Sequence, residues 1–253
     1  MTDARHGLSL WLDRLTLRST LTDAECEAIL ALPGELELIR PNRDFVRLGE
    51  QVDRACLVVS GLAGRFGQTR DGERQMTALH IPGDMADLHS VVLPKAATAL
   101  QSVSETLIYR VPHSAVHKLA SQSLALAEAF WRDCMVDAAA LSQWALVNAR
   151  LSAKGRVAHL LCEMASRFSK EDCRAEQVID WPLTQTTLGD TTGLTPVHVN
   201  RTLRALREAG AAHITDKRLH ILDWKLLQSI GEFDARYLAL ERVDEAGLPR
   251  LFA

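Results

Sequence analysis

The chain has 253 residues, with 29 Lys and Arg against 32 Asp and Glu and a formal net charge of −3. That length suits two domains, and the composition is that of a soluble globular protein with apolar residues enough for a core in each. The slightly negative balance excludes a basic protein that coats nucleic acid, so any contact with DNA must come from a local basic surface.

The start of the chain, broken by Asp3, Arg5, Asp13 and Arg14, does not read as a signal peptide, and no later run is apolar enough to span a membrane. Cys26, Cys56, Cys134, Cys162 and Cys173 are far apart, without a Cys-x-x-Cys motif, which points to free thiols in a reducing cytoplasm. Residues from about Leu8 to Leu32 read as one or two short helices, with Ser19 or Thr22 capping the second and Cys26, Ile29 and Leu30 on its apolar face. From Leu36 to Val111 short apolar runs alternate with Pro41, Gly49, Gly61, Gly64, Gly67, Asp71-Gly72, Pro82-Gly83 and Pro94. These strand and turn signals predict a small antiparallel barrel or roll. Its clearest hairpin joins Arg65–Thr69 to Gln75–Ile81 through Asp71-Gly72.

Pro112 ends the strand region, and a long helix is expected from about Ser123 to Arg150. Phe130, Cys134, Asp137, Leu141, Trp144, Asn148 and Leu151 keep an alternating four-three spacing along it. That heptad stripe suits a parallel helix pair between two subunits, although a long helix packed on its own domain shows the same pattern. Cys134 on this stripe reads as a small buried thiol, with a redox pairing to its twin in a dimer as the alternative. Ser152 can cap a further helix carrying Val157, Leu160, Leu161 and Met164; Ser169–Gln177 reads as a polar loop and Val178–Trp181 as a short strand.

Leu183 to Gly210 is the most informative stretch. It reads as a helix, a tight turn at Gly193 and a second helix with a basic outer face, a unit built to lay one helix in the major groove of DNA. Thr195 is a good N-cap and Pro196 falls at the first helical position, where its missing N–H costs nothing. Val199, Leu203 and Leu206 recur at helical spacing toward a core, which leaves Pro196, Val197, Asn200, Arg201 and Arg204 mostly outside. Arg201, Arg204, Arg207, Lys217 and Arg218 outnumber Glu208 and Asp216, a local excess that fits phosphate neutralisation. Ala212–Thr215 and Leu219–Leu222 flank Asp216-Lys217-Arg218 as a two-strand wing with a basic tip.

The order of roll, long helix and winged helix-turn-helix, with Leu-Thr-Pro-Val-His-Val-Asn-Arg-Thr-Leu at 194–203, resembles the Crp/Fnr family of bacterial transcription regulators. The resemblance runs from about Leu36 to Leu227 and is strongest from Leu183 to Ile221; Gly61, Gly72 and the Pro82-Gly83-Asp84 turn also resemble the family's roll. It implies an α+β fold: an N-terminal antiparallel β-roll like a cyclic-nucleotide-binding domain (1–122), a dimerisation helix (123–151) and a winged helix-turn-helix with a C-terminal extension (152–253). It also implies a homodimer on a palindromic duplex, with RNA polymerase as a further partner. Arg201 matches the family's guanine-reading arginine, and a guanidinium suits O6 and N7 of guanine. Where the best-known members have a Glu, this chain has Val197, which cannot accept from cytosine but can touch a thymine methyl, so their target sequence does not carry over. Base reading is thus expected from Pro196, Val197, Asn200 and Arg201, and backbone contact from Gln185, Thr186, Thr195, His198, Arg204, Lys217 and Arg218.

Members that bind cyclic AMP use helix N–H groups, an Arg and a Glu in the roll. Here the Gly-Glu element is missing; Lys95 lies near the place of the Arg and Asp87 stands for the Glu, with His89 between them. A Lys does not reproduce a bidentate clamp, so another small effector, or none, is expected instead of cyclic AMP. An iron–sulfur cluster needs several closely spaced N-terminal cysteines, and only Cys26 precedes the roll. His80, His89, His113 and His117 have no Cys or carboxylate at a telling spacing and read as ordinary polar residues, so no metal, cofactor or catalytic set is expected. Two other classes stand beside the regulator: a small-molecule-binding protein whose winged domain is a protein-interaction surface, and an enzyme using the roll as a pocket, which would need a metal triad the His spacings do not supply.

Overall fold

A computed structural model describes residues 2–72, 74–168 and 177–240. Most of the loop expected at Ser169–Gln177, Cys173 and the extension beyond residue 240 lie outside the described residues. By its internal contacts the chain divides into one unit with Met1–Gln68 and Ala78–Ala138 and a second with Thr69–Thr77 and Ala139–Leu238. The division falls within the longest helix, because that helix contributes side chains to both cores.

The first unit opens with helices α1 (Thr2–Arg18) and α2 (Asp23–Leu30). Thr22 caps α2 through a reciprocal box: Glu25 N–H donates to the Thr22 hydroxyl, and the Glu25 carboxylate accepts from Thr22 N–H at 2.8 Å. Leu8, Trp11 and Leu15 form the buried face of α1. Seven strands follow in the chain, β5 alone running from the second unit into the first: β1 (Glu35–Ile39), β2 (Asp44–Val46), β3 (Arg54–Ser60), β4 (Ala63–Gln68), β5 (Arg74–His80), β6 (Ala99–Ser102) and β7 (Thr106–Pro112). They make two antiparallel sheets, ordered β1-β7-β3 and β2-β6-β4-β5, which is the predicted roll. The β4–β5 connection carries the expected turn, with Gly72 at φ +91 and its N–H on the Thr69 carbonyl. Gly61 also needs its positive φ, since a Cβ there would lie 2.2 Å from the Glu105 carbonyl.

Helix α3 (His113–Gln122) leads into α4 (Leu124–Arg150). In the first unit Phe130 of α4 stacks on Trp11 with ring centroids 5.4 Å apart, and Asp133 takes the Trp11 indole N–H at 3.1 Å and the Arg18 guanidinium at 2.6 Å. Burial pushes the Asp133 carboxyl up, and Arg18 and Trp11 pull it back.

The second unit contains α5 (Ala153–Phe168), β8 (Gln177–Asp180), α6 (Gln185–Thr192), α7 (Pro196–Glu208), β9 (Ala212–Thr215), β10 (Arg218–Ile221) and α8 (Trp224–Gly231). Its sheet has the order β8-β10-β9. Helix α5 is its spine, buried from Val157 to Met164 almost without interruption. Ser152 caps that helix, accepting from Gly155 N–H at 3.2 Å. Helix α8 packs directly on it: a Cβ at Gly231 would lie 2.6 Å from the His159 backbone nitrogen. Glu163, fully buried, accepts from the Trp144 indole and the Tyr237 hydroxyl, both at 2.7 Å, and faces Arg167 at 3.3 Å. His159 continues the network, 3.2 Å from the Tyr237 hydroxyl and 2.9 Å from the Gly231 carbonyl.

The stripe expected to face a second subunit is placed differently. Phe130 and Trp144 are 5 % and 6 % exposed and belong to the chain's own cores; Cys134 packs against the same core as Phe130; Asn148 donates to the Thr191 carbonyl at 3.3 Å. Of the stripe's seven residues, Leu141 alone is open, at 40 %. The apolar face that α4 leaves bare is the neighbouring one, Trp131, Met135, Ala138, Ser142, Ala145 and Ala149, again at four-three spacing. The helix carries two interleaved heptad stripes, and the folded chain uses the one the spacing singled out.

Candidate nucleic-acid interface

Local sequence shapes the second unit's exposed surface. Thr184 caps α6 by accepting from Thr187 N–H at 3.1 Å, and Gly193 ends the helix at φ +66, in the left-handed region. Gly189 lets the turn fold back, since a Cβ there would lie 2.6 Å from the Leu194 carbonyl. Thr195 caps α7 on His198 N–H, and Pro196 holds its first position.

On α7 the buried residues are Val199, Thr202 and Leu206, with Leu203 half-buried. The opposite face presents Val197, Asn200, Arg201 and Arg204, one helical ridge by their spacing, and all are exposed, Val197 to 77 %. Pro196 and His198 are exposed at the positive N-terminal end of the helix dipole. Arg204 lies 3.5 Å from Glu208, an exposed pair worth little in water, whereas among the described residues Arg201, Arg207 and Lys217 are in no ion pair. Gln185 and Thr186 are exposed at the start of α6. At the tip of the wing Asp216 and Lys217 take positive φ values of 50 and 57, which closes β9 on β10 in a two-residue turn. Lys217 is exposed there, while Arg218 faces Asp180 at 3.6 Å. Just below the tip the rings of His213 and His220 stack 4.5 Å apart, and burial, then His220 and Arg207, hold His213 below the usual histidine range.

The effector residues expected in the roll separate. Asp87 is buried and accepts from Cys56 N–H at 2.6 Å, with its other oxygen free of hydrogen bonds. Burial pushes its carboxyl up to about 6 against the pull of Cys56 N–H, Arg65 and Arg110. His89 lines the same small cavity, held below the usual range first by burial and then by Arg65. Lys95 does not line it: the side chain is exposed, on a segment bridged to Gln51. The buried cation is Arg65 of β4, 5 % exposed, which donates to the Ala86 carbonyl and lies 2.7 Å from Asp137. No alternation marks Arg65 as inward, because β4 is buried without a break from Ala63 through Phe66, and an arginine next to a glycine reads first as a solvent residue. The cavity beside it holds about 10 Å³, room for one water at most.

The histidines are engaged within the fold. His113 lies 2.8 Å from the Ser90 hydroxyl, His117 2.8 Å from the Val91 carbonyl and His80 3.8 Å from Asp84. Among the described residues no cluster of His, Cys, Asp and Glu could hold a metal ion, and no helix is long and apolar enough to cross a membrane. Burial, then Asp133 and Asp137, pushes the Cys134 thiol up to about 12, so it is not a reactive thiolate at neutral pH.

Residues 155–230, from α5 through α8, match the family model described as the Crp-like helix-turn-helix domain. The chain is 19 % identical over 220 residues to the anaerobic regulatory protein of Haemophilus influenzae, covering 87 % of this chain and 85 % of that one. It is 24 % identical over 209 residues to the transcriptional activator protein Anr of Pseudomonas aeruginosa, covering 83 % and 85 %. The solved structure of FixK2 from Bradyrhizobium japonicum superposes with a TM-score of 0.68 at 22 % identity, over 79 % of this chain and 98 % of that one.

Proposed function

We propose that this chain is a transcription regulator of the Crp/Fnr kind, which binds duplex DNA in a sequence-specific way, as a homodimer on a two-fold symmetric site. The observation that carries this is the α7 ridge of Val197, Asn200, Arg201 and Arg204, exposed on a helix whose opposite face is buried. Arg201 reads guanine by a bidentate pair, and Val197, Asn200 and Pro196 complete the base-facing set. Gln185, Thr186, His198, Arg204 and Lys217 face phosphate; Thr195 does so through its backbone, since its hydroxyl caps the helix, and Arg218 after exchanging Asp180 for a phosphate. The second subunit covers the bare α4 stripe from Trp131 to Ala149, a seam of the heptad kind. The protein works in the cytoplasm, with RNA polymerase as its downstream partner.

The effector in this proposal is a small molecule other than cyclic AMP, or none. The roll interior is filled by the protein's own Arg65, held between Ala86 and Asp137, and the remaining void is too small for a nucleotide.

Selection from random duplex DNA with the ligand-free protein tests the reading, beside Arg201→Ala. Enrichment of a two-fold symmetric site by the wild type is expected, with Arg201→Ala costing about 1–3 kcal/mol on that site and little on random DNA. Equal loss on both would reduce Arg201 to a phosphate contact.

A further inference from the structure

Away from the roll interior, the first unit carries an open cleft of about 480 Å³, bounded by β1, β2 and the loops beside them. Arg40, Arg43, Arg47 and Arg110 all line it. We infer that this cleft binds a small phosphate-bearing organic anion.

Charge is the first support. The cleft sets four guanidiniums, Arg40, Arg43, Arg47 and Arg110, against three carboxylates: Glu37 pairs with Arg110, while Glu50 and Asp44 keep their charge and accept from the neutral Arg47 N–H at 2.8 Å and Gln101 at 2.9 Å. Arg40, Arg43 and Arg47 are exposed and, among the described residues, in no ion pair. Three uncommitted guanidiniums thus meet in one concavity of a chain whose net charge is −3. Planar forks of this kind suit phosphate oxygens.

The backbone under them is fixed. Ser102, fully buried on β6, donates to the Arg40 carbonyl and accepts from Arg43 N–H at 3.2 Å. Asn42 between them takes φ +59 and donates its N–H to the Ser102 carbonyl. Glu50 N–H closes a turn on the Arg47 carbonyl, and the Gly49 N–H and Glu50 carbonyl pair with Ala96. Binding would therefore order side chains on a set backbone, which keeps its entropic cost low.

Size and shape name the class. The volume lies within the range of about 300–1,000 Å³ typical of small-molecule sites. Leu38, 62 % exposed, gives the cleft an apolar wall, so the fit is a phosphate group joined to an apolar or planar body rather than a bare ion.

Calorimetric titration with ADP, inorganic pyrophosphate and adenosine at about 0.15 M salt tests this, because surface charge alone is largely screened there. ADP is expected to bind most tightly, pyrophosphate more weakly and adenosine not at all. The combined variant Arg40→Ala/Arg43→Ala/Arg47→Ala should lose at least about a hundredfold, as one charge-assisted hydrogen bond is worth roughly tenfold. The three residues are exposed, so the variant should keep its circular dichroism and its selected DNA site, which separates failure of this inference from failure of the DNA-binding reading. Absence of binding by ADP and pyrophosphate overturns the inference. So does ADP binding that survives in the triple variant but vanishes in Arg201→Ala/Arg204→Ala/Arg207→Ala, since the DNA face would then be the phosphate site.

Discussion

Replacing Trp131 by Ser separates the two stripes of α4. Trp131 is 62 % exposed in the single chain, while Phe130, one residue earlier, is 5 % exposed against Trp11. A tryptophan offers about 200 Å² for burial, so roughly 120 Å² of Trp131 is left for a partner, worth about 3 kcal/mol per copy at full burial. In a symmetric dimer the residue counts twice. If the seam covers only half of that area, Trp131→Ser still costs about 3 kcal/mol of association, on the order of a hundredfold in Kd. Phe130→Ala should instead destabilise the first unit by about 3–5 kcal/mol through the void it leaves beside Trp11. Sedimentation equilibrium across a concentration series reads association, and urea unfolding reads stability. Trp131→Ser is expected to move the first and Phe130→Ala the second. The reasoning is refuted if Trp131→Ser leaves the dimer constant unchanged, or if the wild type stays monomeric at every concentration.

Three more outcomes follow from buried groups. Glu163→Ala removes the shared acceptor of Trp144 and Tyr237 and one carboxylate facing Arg167, so urea unfolding of the second unit should shift by about 3–5 kcal/mol; a shift within error would mean the network is not load-sharing. Gly189→Ala forces a Cβ against the Leu194 carbonyl, with an expected loss of about 1–3 kcal/mol and weaker binding to the selected DNA site; wild-type melting and affinity would contradict the packing. Asp87 keeps its proton in the folded state up to about pH 6, so the fold binds a proton that the unfolded chain releases near its ordinary value of 3.8. The stability it contributes is therefore present at acid pH and lost as pH rises through that window, on the order of 3 kcal/mol. Asp87→Asn removes that fall relative to wild type, and parallel stability curves from pH 4 to 7 would count against it.

Much of this protein was readable from residue order. The alternation and turn residues from Leu36 to Val111 gave the roll, and Thr195-Pro196 with Gly193 gave the helix-turn-helix, because caps and turns are local chemistry: a hydroxyl within reach of one N–H, a φ value only glycine adopts freely. The exposed ridge of α7 followed from helical periodicity alone. Local chemistry could not choose between the stripes of α4, since Phe130 and Trp131 are both large aromatics one position apart; only the arrival of Trp11, far away in sequence, buries one and leaves the other bare. The same holds in the roll. Lys95 and Arg65 are both cations within the roll's sequence, and the choice of Arg65 as the buried one rests on Ala86 and Asp137 meeting it from two other elements. A residue's own periodicity can say which way it points, but what waits there is settled by long-range packing.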